Sequence, residues 1–286
     1  MPANAYKLTL PRDRNTCIVF ASPHSGRQYS AAFLSQTVLS EREIRSSEDA
    51  FVDVLFAAAP RFGAPLLAAQ KPRAYLDLNR ASDELDPALV QGVRKPSSNP
   101  RISSGLGVVP RVVANGKSIY SGKISRAEVE QRLDEIWQPY HDCLQALLRK
   151  NYELFGKSIL IDCHSMPHEA ISSMKHGRSG CPDVVLGDRF GASADPETVD
   201  YIEAALVDAG LSVVRNAPFA GAFVAQHYGR PSRNQHVVQI EIDRSLYMDE
   251  RTIQPNENFD QLKAILTGVI AELTTIERRN IQLAAE

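Results

Sequence analysis

Two histidines stand directly after short apolar runs that are typical of β-strands. His24 follows strand-like residues 17–21, and His164 follows the apolar run 158–163. The carboxyl ends of parallel strands meet at one edge of an α/β sheet, where ligands gather. If the two strands are neighbours, both imidazoles can bind one divalent ion. Asp162 lies two residues before His164 on the same face, so it can orient a metal ligand by a hydrogen bond. The alternative is two separate, hydrogen-bonded histidines near the surface.

Acidic residues after the first of these histidines offer a third ligand. Glu48, Asp49 and Asp53 lie at the start of a predicted helix over residues 49–59. Asp49 and Asp53 are four residues apart and would share a helical face, whereas Glu48 would point elsewhere. Two histidines, one carboxylate and one water make an open tetrahedral zinc site of hydrolytic type, which other divalent metals also fit. The alternative is that these acids only cap the helix or balance its dipole.

A carboxylate interrupts an apolar strand near the end of the chain. Glu241 lies inside VVQIEID, residues 237–243. An unpaired carboxylate in such a strand is costly, and it is tolerated where it meets a metal, an arginine or a substrate. Burial also raises a carboxyl pKa toward the value that a general base needs. The sequence therefore predicts Glu241 as a catalytic base, with a structural ion pair to Arg244 as the alternative.

Arginines form two groups near these candidates. Arg73 and Arg80 flank the run AYLDLN, and a second group, close to Glu241 in the sequence, contains Arg230, Arg233 and Arg244. A guanidinium group binds a carboxylate through a bidentate fork, so the grouping predicts a small anionic substrate. The alternative for at least two of the five is solvated charge or structural pairing.

Strand-like and helical patterns alternate along the chain, which predicts a sheet covered by helices on both faces. The predicted strands are residues 17–21, 64–69, 74–78, 158–163, 183–186, 211–215 and 237–243. Besides residues 49–59, the predicted helices are one from Ser125 to Gly156, one between Asp195 and Gly210, and one from Phe259 to Ile276. Residues 87–121 are predicted as an irregular excursion with a hairpin. No repeat or linker divides the chain, which favours one domain.

Composition excludes several classes of function. The 286 residues carry a formal net charge of -2, so no overall basic field attracts nucleic acid or an anionic membrane. Four scattered cysteines without a CxxC pair are typical of a reduced cytosolic protein. The N-terminal residues contain no apolar signal-like core, and no apolar run reaches about 18 residues. We therefore expect a cytoplasmic protein, as a monomer or small homo-oligomer, with no membrane partner.

Five short motifs, in this order along the chain, resemble the N-formylglutamate amidohydrolase (deformylase) family. They are SPHSG at 22–26, EDAFVD at 48–53, YLDLNR at 75–80, DCHS at 162–165 and QIEIDRSLYMDE at 239–250. The similarity runs from about residue 17 to residue 275. It implies an α/β fold of the zinc carboxypeptidase and aspartoacylase type (phosphorylase/hydrolase-like), with a mixed, mostly parallel central sheet between helices. A single amidohydrolase domain would then span residues 1–286.

The resemblance also implies roles for individual residues. In those relatives an HxxE pair and a later histidine bind zinc, an Asn-Arg pair binds substrate, and a late glutamate acts as base. The matching positions are His24 for the first histidine, His164 for the later one, Asn79 and Arg80 for the pair, and Glu241 for the base. Arg27 stands where the HxxE pattern has its glutamate, so the acidic ligand must come from elsewhere. Asp49 fits the family's pattern best, and Asp53 is the fallback.

The expected function is zinc-dependent hydrolysis of N-formyl-L-glutamate to L-glutamate and formate, at the end of a histidine-degradation route. One ion held by His24, Asp49 and His164 would activate water, Glu241 would move the proton, and Arg80 would stabilise the oxyanion. Arg73, Arg230 and Arg233 are the candidates for binding the substrate's carboxylates. Two alternatives stay open: a related hydrolase acting on another N-acyl amino acid or a peptide, and a non-catalytic domain that binds an anion.

Overall fold

The computed structural model describes residues 5–93, 99–174 and 180–276. Its β-strands are β1 (Tyr6–Thr9), β2 (Ile18–Ser22), β3 (Leu66–Ala69), β4 (Ser158–Met166), β5 (Val184–Gly187), β6 (Val213–Arg215), β7 (Gln235–Asp243), β8 (Met248–Asp249) and β9 (Gln254–Pro255). Seven of them form one sheet in the order β1-β3-β2-β4-β7-β5-β6, and β8 pairs with β9 in a separate ribbon.

The central sheet is mixed. β2 runs parallel to β4, β4 parallel to β7, and β5 parallel to β6, whereas β5 runs antiparallel to β7. Every residue of β2 and β4 is buried, and β7 is buried after its first residue, which agrees with the apolar runs 18–21, 159–161 and 237–238 within these strands. The predicted α/β class with a mixed, mostly parallel sheet is confirmed.

The α-helices vary from single turns to one long element. They are α1 (Ala31–Gln36), α2 (Glu41–Ile44), α3 (Val52–Leu55), α4 (Pro100–Ser103), α5 (Arg126–Arg132), α6 (Gln138–Phe155), α7 (Pro196–Asp208), α8 (Phe223–Tyr228) and α9 (Phe259–Leu273). A π-helical turn, Leu133–Trp137, joins α5 to α6. Short 3₁₀ turns occupy Ala59–Phe62, Ala114–Gly116, His168–Ala170, Pro231–Arg233 and Arg244–Leu246.

Capping residues that are recognisable in the sequence mark the ends of several helices. The Ser125 side chain accepts a hydrogen bond from the Glu128 N–H at the start of α5, and Asp195 accepts one from the Thr198 N–H at the start of α7. Gly156, with a φ of 67°, follows the end of α6 in the left-handed conformation that glycine favours. These predicted boundaries are confirmed.

Two predicted elements are wrong. The helix expected over 49–59 is an α-helix only at Val52–Leu55, because Phe51 has a φ of 65° and no right-handed helix can run back through it. Asp49 therefore lies outside the helix and shares no helical face with Asp53. The strand expected over 74–78 is absent, because the N–H groups of Tyr75 and Leu76 both turn back to the Pro72 carbonyl.

The chain groups into two compact units, each assembled from separate segments. The first comprises Met1–Lys7, Pro23–Ala50 and Ala68–Cys143, and it contains α1, α2, α4 and α5. The second comprises Leu8–Ser22, Phe51–Leu67 and Leu144–Glu286, and it contains β2, β4 to β9 and helices α7 to α9. The single amidohydrolase domain over 1–286 stays a prediction. Within the described ranges, no helix combines the length and apolar character needed to cross a bilayer.

Candidate active site

The first candidate ligand lies in the loop that follows β2. His24 comes two residues after the strand, and its backbone carbonyl accepts a hydrogen bond of 3.1 Å from the Asp49 N–H. This bond ties the two candidate ligands together through the main chain. Gly26 lets the loop pass close to its neighbour, because a Cβ there would run into the Lys71 carbonyl.

A buried carboxylate holds the His24 ring from one side. Asp77 Oδ1 lies 2.7 Å from His24 Nε2, and Asp77 also accepts hydrogen bonds from Arg73 Nε at 3.0 Å and from the Asn79 N–H at 2.8 Å. Burial alone would raise the pKa of Asp77, but the charges of Arg73, His24 and Arg80 outweigh it and hold that pKa well below its usual range. Asp77 is therefore an acceptor, and His24 donates to it from Nε2.

The other nitrogen of His24 faces Asp49. The distance from Nδ1 to Asp49 Oδ2 is 3.4 Å, and both side chains are buried. With its ring proton on Nε2, His24 presents a lone pair at Nδ1 toward the carboxylate. Two electron-pair donors so placed suit a cation, since two ligands of one tetrahedral zinc ion stand about 3.3 Å apart.

The second histidine lies on β4. The register pairs His164 with Glu241 of β7, so both side chains leave the same face of the sheet side by side. Asp162, two residues earlier on that face, approaches His164 Nε2 at 3.0 Å, which leaves Nδ1 as the ring nitrogen for a ligand bond. Glu241 is 8% exposed, and its Oε1 accepts a hydrogen bond of 2.8 Å from Gln239 Nε2.

Three of the candidates form one compact donor group. His24, Asp49 and His164 each offer one ligand atom, these atoms all lie within 4.8 Å of one another, and all three residues are buried. Two imidazole nitrogens and a carboxylate oxygen are a donor set that zinc and similar divalent ions accept. Carboxylates also contact both imidazoles through their Nε2 atoms, as is usual for metal-binding histidines. The residues present therefore fit a metal ion.

The other two acids considered as ligands do not belong to this group. Glu48 accepts hydrogen bonds from Tyr29 Oη and from Arg45 Nε, each at 3.0 Å, which is a structural ion pair. Asp53 lies in the first turn of α3.

The predicted substrate-binding residues separate into two sets. Asn79 and Arg80 are buried beside Asp77, and Arg80 donates from Nε to the Leu106 carbonyl at 3.0 Å and from NH1 to the Asn79 carbonyl at 2.9 Å. Burial lowers the pKa of Arg80, and the charge of Asp77 opposes that shift. Arg73 remains a quarter exposed while it contacts Asp77.

The structure does not place Arg230 and Arg233 with Arg73, Asn79 and Arg80. Both are exposed and lie just before β7, about 20 Å along that strand from Glu241 at ~3.3 Å per residue. Arg230 donates instead to the Gln226 and Gly229 carbonyls.

Two residues near the candidates were not among the predicted site residues, although the sequence placed Arg244 in the second arginine group and offered it as an alternative ion-pair partner of Glu241. Asp77 is one, and the available signal was a single acid inside a motif flanked by Arg73 and Arg80. Arg244 is the other. It is buried just after β7, and its Nε lies 3.3 Å from the hydroxyl of Ser165, the neighbour of His164.

Comparison with known proteins points to one family. The model of the family described as N-formylglutamate amidohydrolase matches residues 16–248. The N-formylglutamate deformylase of Pseudomonas aeruginosa is 32% identical over 237 residues, which is 82% of this chain and 83% of that protein. The corresponding protein of Pseudomonas putida is 30% identical, with 82% of each chain covered.

Solved structures agree with this similarity. The crystal structure of an N-formylglutamate amidohydrolase from Ralstonia eutropha superposes with a TM-score of 0.89 at 36% identity, covering 96% of this chain and 99% of that one. A gene product of Agrobacterium tumefaciens gives a TM-score of 0.67 at 16% identity, over 98% of this chain and 96% of its own, and so shares the fold.

Proposed function

The chain belongs to the N-formylglutamate amidohydrolase family, and on that premise we propose that it hydrolyses the amide bond of N-formyl-L-glutamate to formate and L-glutamate. The observation that carries the proposal is the donor group of His24, Asp49 and His164, together with Glu241 next to His164 on the adjacent strand. The Pseudomonas and Ralstonia relatives bear names for the same reaction, which supports the substrate.

We assign one divalent ion, zinc by its donor set, to His24, Asp49 and His164. When bound, zinc polarises an acyl carbonyl and makes water acidic enough to react near neutral pH. Asp77 and Asp162 fix the two imidazole rings and keep their Nδ1 atoms available. These two carboxylates also add negative charge behind the ligands, which strengthens binding of a dication.

Glu241 acts as the general base and acid. It accepts a proton from the attacking water as the new C–O bond forms at the formyl carbon, and it passes that proton to the amine nitrogen as the C–N bond breaks. The hydrogen bond from Gln239 Nε2 to Glu241 Oε1 holds the carboxylate in one orientation. The products are formate and the free amino group of glutamate.

Arg80 supplies positive charge for the oxyanion of the tetrahedral intermediate, a contribution of about 3 kcal/mol for one well-placed donor. Asn79 and Arg73 contact the substrate's amide and one of its carboxylates. Arg73 is suited to the carboxylate because its guanidinium reaches solvent while it is anchored to Asp77. We place the reaction at the end of histidine degradation in the cytoplasm, as the family implies.

Release of free L-glutamate, the product common to all candidate substrates, tests the proposal directly. Metal-stripped protein is assayed with and without added Zn²⁺ on N-formyl-, N-acetyl- and N-succinyl-L-glutamate. We expect zinc-dependent release with N-formylglutamate preferred. A higher kcat/KM on a larger acyl group would reassign the substrate, and no turnover on any of them would indicate an anion-binding domain.

A further inference from the structure

The segment 73–80 carries the substrate-binding candidates, yet it forms neither a helix nor a strand. Its backbone N–H groups bind carbonyls outside any strand ladder. Those of Tyr75 and Leu76 donate to the Pro72 carbonyl, and that of Asp77 donates to the Val108 carbonyl. Buried carbonyls of such a segment need donors from elsewhere, because the main chain offers no ladder.

Side chains of one continuous helical stretch, α5 through α6, supply these donors. Three hydrogen bonds do so: Arg132 NH1 to the Tyr75 carbonyl at 3.0 Å, His141 Nε2 to the Leu78 carbonyl at 3.0 Å, and Trp137 Nε1 to the Arg80 carbonyl at 2.9 Å. Arg132 also stacks on the Tyr75 ring, with its guanidinium carbon 3.9 Å from the ring centroid.

The π-helical turn Leu133–Trp137 explains how one helix can reach all three carbonyls. In an α-helix, residues five apart lie about 140° apart around the axis, at 3.6 residues per turn. The wider turn brings Trp137 back toward the side that carries Arg132, and His141 follows one α-helical turn later. Such turns are frequent at functional sites, and here the turn aims a donor at the Arg80 carbonyl.

The donors at 137 and 141 also fix each other. The Trp137 and His141 rings pack with their centroids 4.1 Å apart, and His141 is buried. Three consecutive carbonyls are thereby held, since Leu78 accepts from His141, Asn79 from Arg80 NH1, and Arg80 from Trp137. The backbone on both sides of Asn79 has little freedom to turn.

We propose that Trp137 and His141 are positioning residues that hold the Asn79 and Arg80 side chains in their substrate-binding orientation. The inference rests on the proposed function, since it takes Asn79 and Arg80 as the groups that contact substrate. Neither aromatic residue touches the substrate. Each acts through a backbone carbonyl, so its loss misplaces a binding group without removing it.

The test is a pair of variants that remove the same kind of bond. Trp137→Phe keeps an aromatic ring and removes the N–H that binds the Arg80 carbonyl. Tyr201→Phe is the matched control, because Tyr201 Oη donates to the Glu272 carbonyl at 2.8 Å between α7 and α9.

Both variants should lower Tm by a similar few degrees, about 2–4 °C. Only Trp137→Phe should lower kcat/KM for N-formylglutamate, by tenfold or more, because small misplacements of binding groups are costly. Equal kcat/KM in the two variants would overturn the inference.

A second pair guards against a folding defect at position 137. His141→Gln retains an amide N–H for the Leu78 carbonyl, whereas His141→Phe retains only bulk. We expect kcat/KM to be largely preserved in His141→Gln and lost in His141→Phe. Equal losses in both would contradict a role through the hydrogen bond.

Binding of L-glutamate, measured by calorimetry on zinc-loaded protein, separates the inference from the proposed function. If the wild-type protein releases no L-glutamate from any of the three N-acyl substrates, the proposed function fails. The inference then stands only if glutamate affinity falls about tenfold in Trp137→Phe and not in Tyr201→Phe. Equal affinities, or no glutamate binding by the wild type, would overturn it.

Discussion

Asp77 Oδ1 lies 2.7 Å from His24 Nε2, and both side chains are 2% exposed. The contact determines which nitrogen of His24 carries the proton and which faces Asp49. Arg73 and the Asn79 N–H bind the same carboxylate, so the motif that carries the substrate-binding candidates also orients a metal-ligand candidate. Ligand orientation and substrate binding are thus coupled through one carboxylate.

Asp77→Asn should weaken metal binding. The substitution keeps the shape of the side chain but removes the charge that favours a proton on His24 Nε2. Loss of such a partner typically lowers metal affinity or activity 10- to 100-fold, and we expect that range for Zn²⁺ affinity measured by competition with a chelator. Asp86→Asn is the matched control, since Asp86 is also buried and paired, with Arg111 Nε at 2.8 Å. Equal zinc affinities in both variants would refute the role of Asp77.

Glu241→Gln should abolish most turnover and leave the metal in place. The amide cannot accept the proton from water, so kcat should fall by about 10² to 10⁴. Glu241 is not a proposed ligand, and zinc content per chain should therefore stay at the wild-type value. Glu48→Gln serves as the comparison, because it neutralises a buried carboxylate bound to Arg45 and Tyr29. A Glu241→Gln enzyme with wild-type kcat would show that another group moves the proton.

Gly26→Ala should destabilise the protein, and Gly268→Ala should stabilise it. A methyl group at Gly26 clashes with the Lys71 carbonyl, so the backbone there must shift. We expect this shift to lower the free energy of unfolding by about 1–3 kcal/mol. Gly268 lies inside α9 with open space around the new methyl group, so alanine should add about 0.5–1 kcal/mol through helix propensity. Urea unfolding of both variants measures the two signs, and a Gly26→Ala protein at least as stable as the wild type would contradict the packing described for Gly26.

His168 should titrate above the usual histidine range. Its Nδ1 binds Asp243 Oδ2 at 2.8 Å, and this hydrogen bond and the charge of Asp243 raise the pKa of His168, whereas partial burial opposes them. The raised pKa means that the pair stabilises the fold fully below pH about 6.5 and that this contribution fades as pH rises through the folded-state pKa. Proton NMR of the imidazole should show a midpoint that returns toward about 6.5 in Asp243→Asn. An unchanged midpoint would exclude Asp243 as the cause.

Where a segment carries its own local signal, the sequence was enough to predict it. The Asp195 cap before α7, the glycine after α6 and the buried strands β4 and β7 all follow from residue types within a few positions. The placement of β2 beside β4 was only a condition of the metal-site hypothesis, and the structure meets that condition.

Features set by distant contacts could not be predicted. The contact between Asp77 and His24 joins residues 53 positions apart, and the acid's place between Arg73 and Arg80 does not name His24 as its partner. The run DAFVDVLFAAA has a helical pattern, but the left-handed Phe51 breaks it. The π-helical turn before α6 is hidden within an apolar stripe that reads as a continuous α-helix.

Zinc titration of metal-stripped protein tests the central claim most directly, because that claim assigns one ion to His24, Asp49 and His164. Calorimetry should show saturable binding of one Zn²⁺ per chain in the wild type. Asp49→Asn should weaken it by at least about 10-fold, while Asp53→Asn, the matched change at the fallback acid, should leave it unchanged. No stoichiometric binding by the wild type, or equal affinities in the two variants, would contradict the assignment.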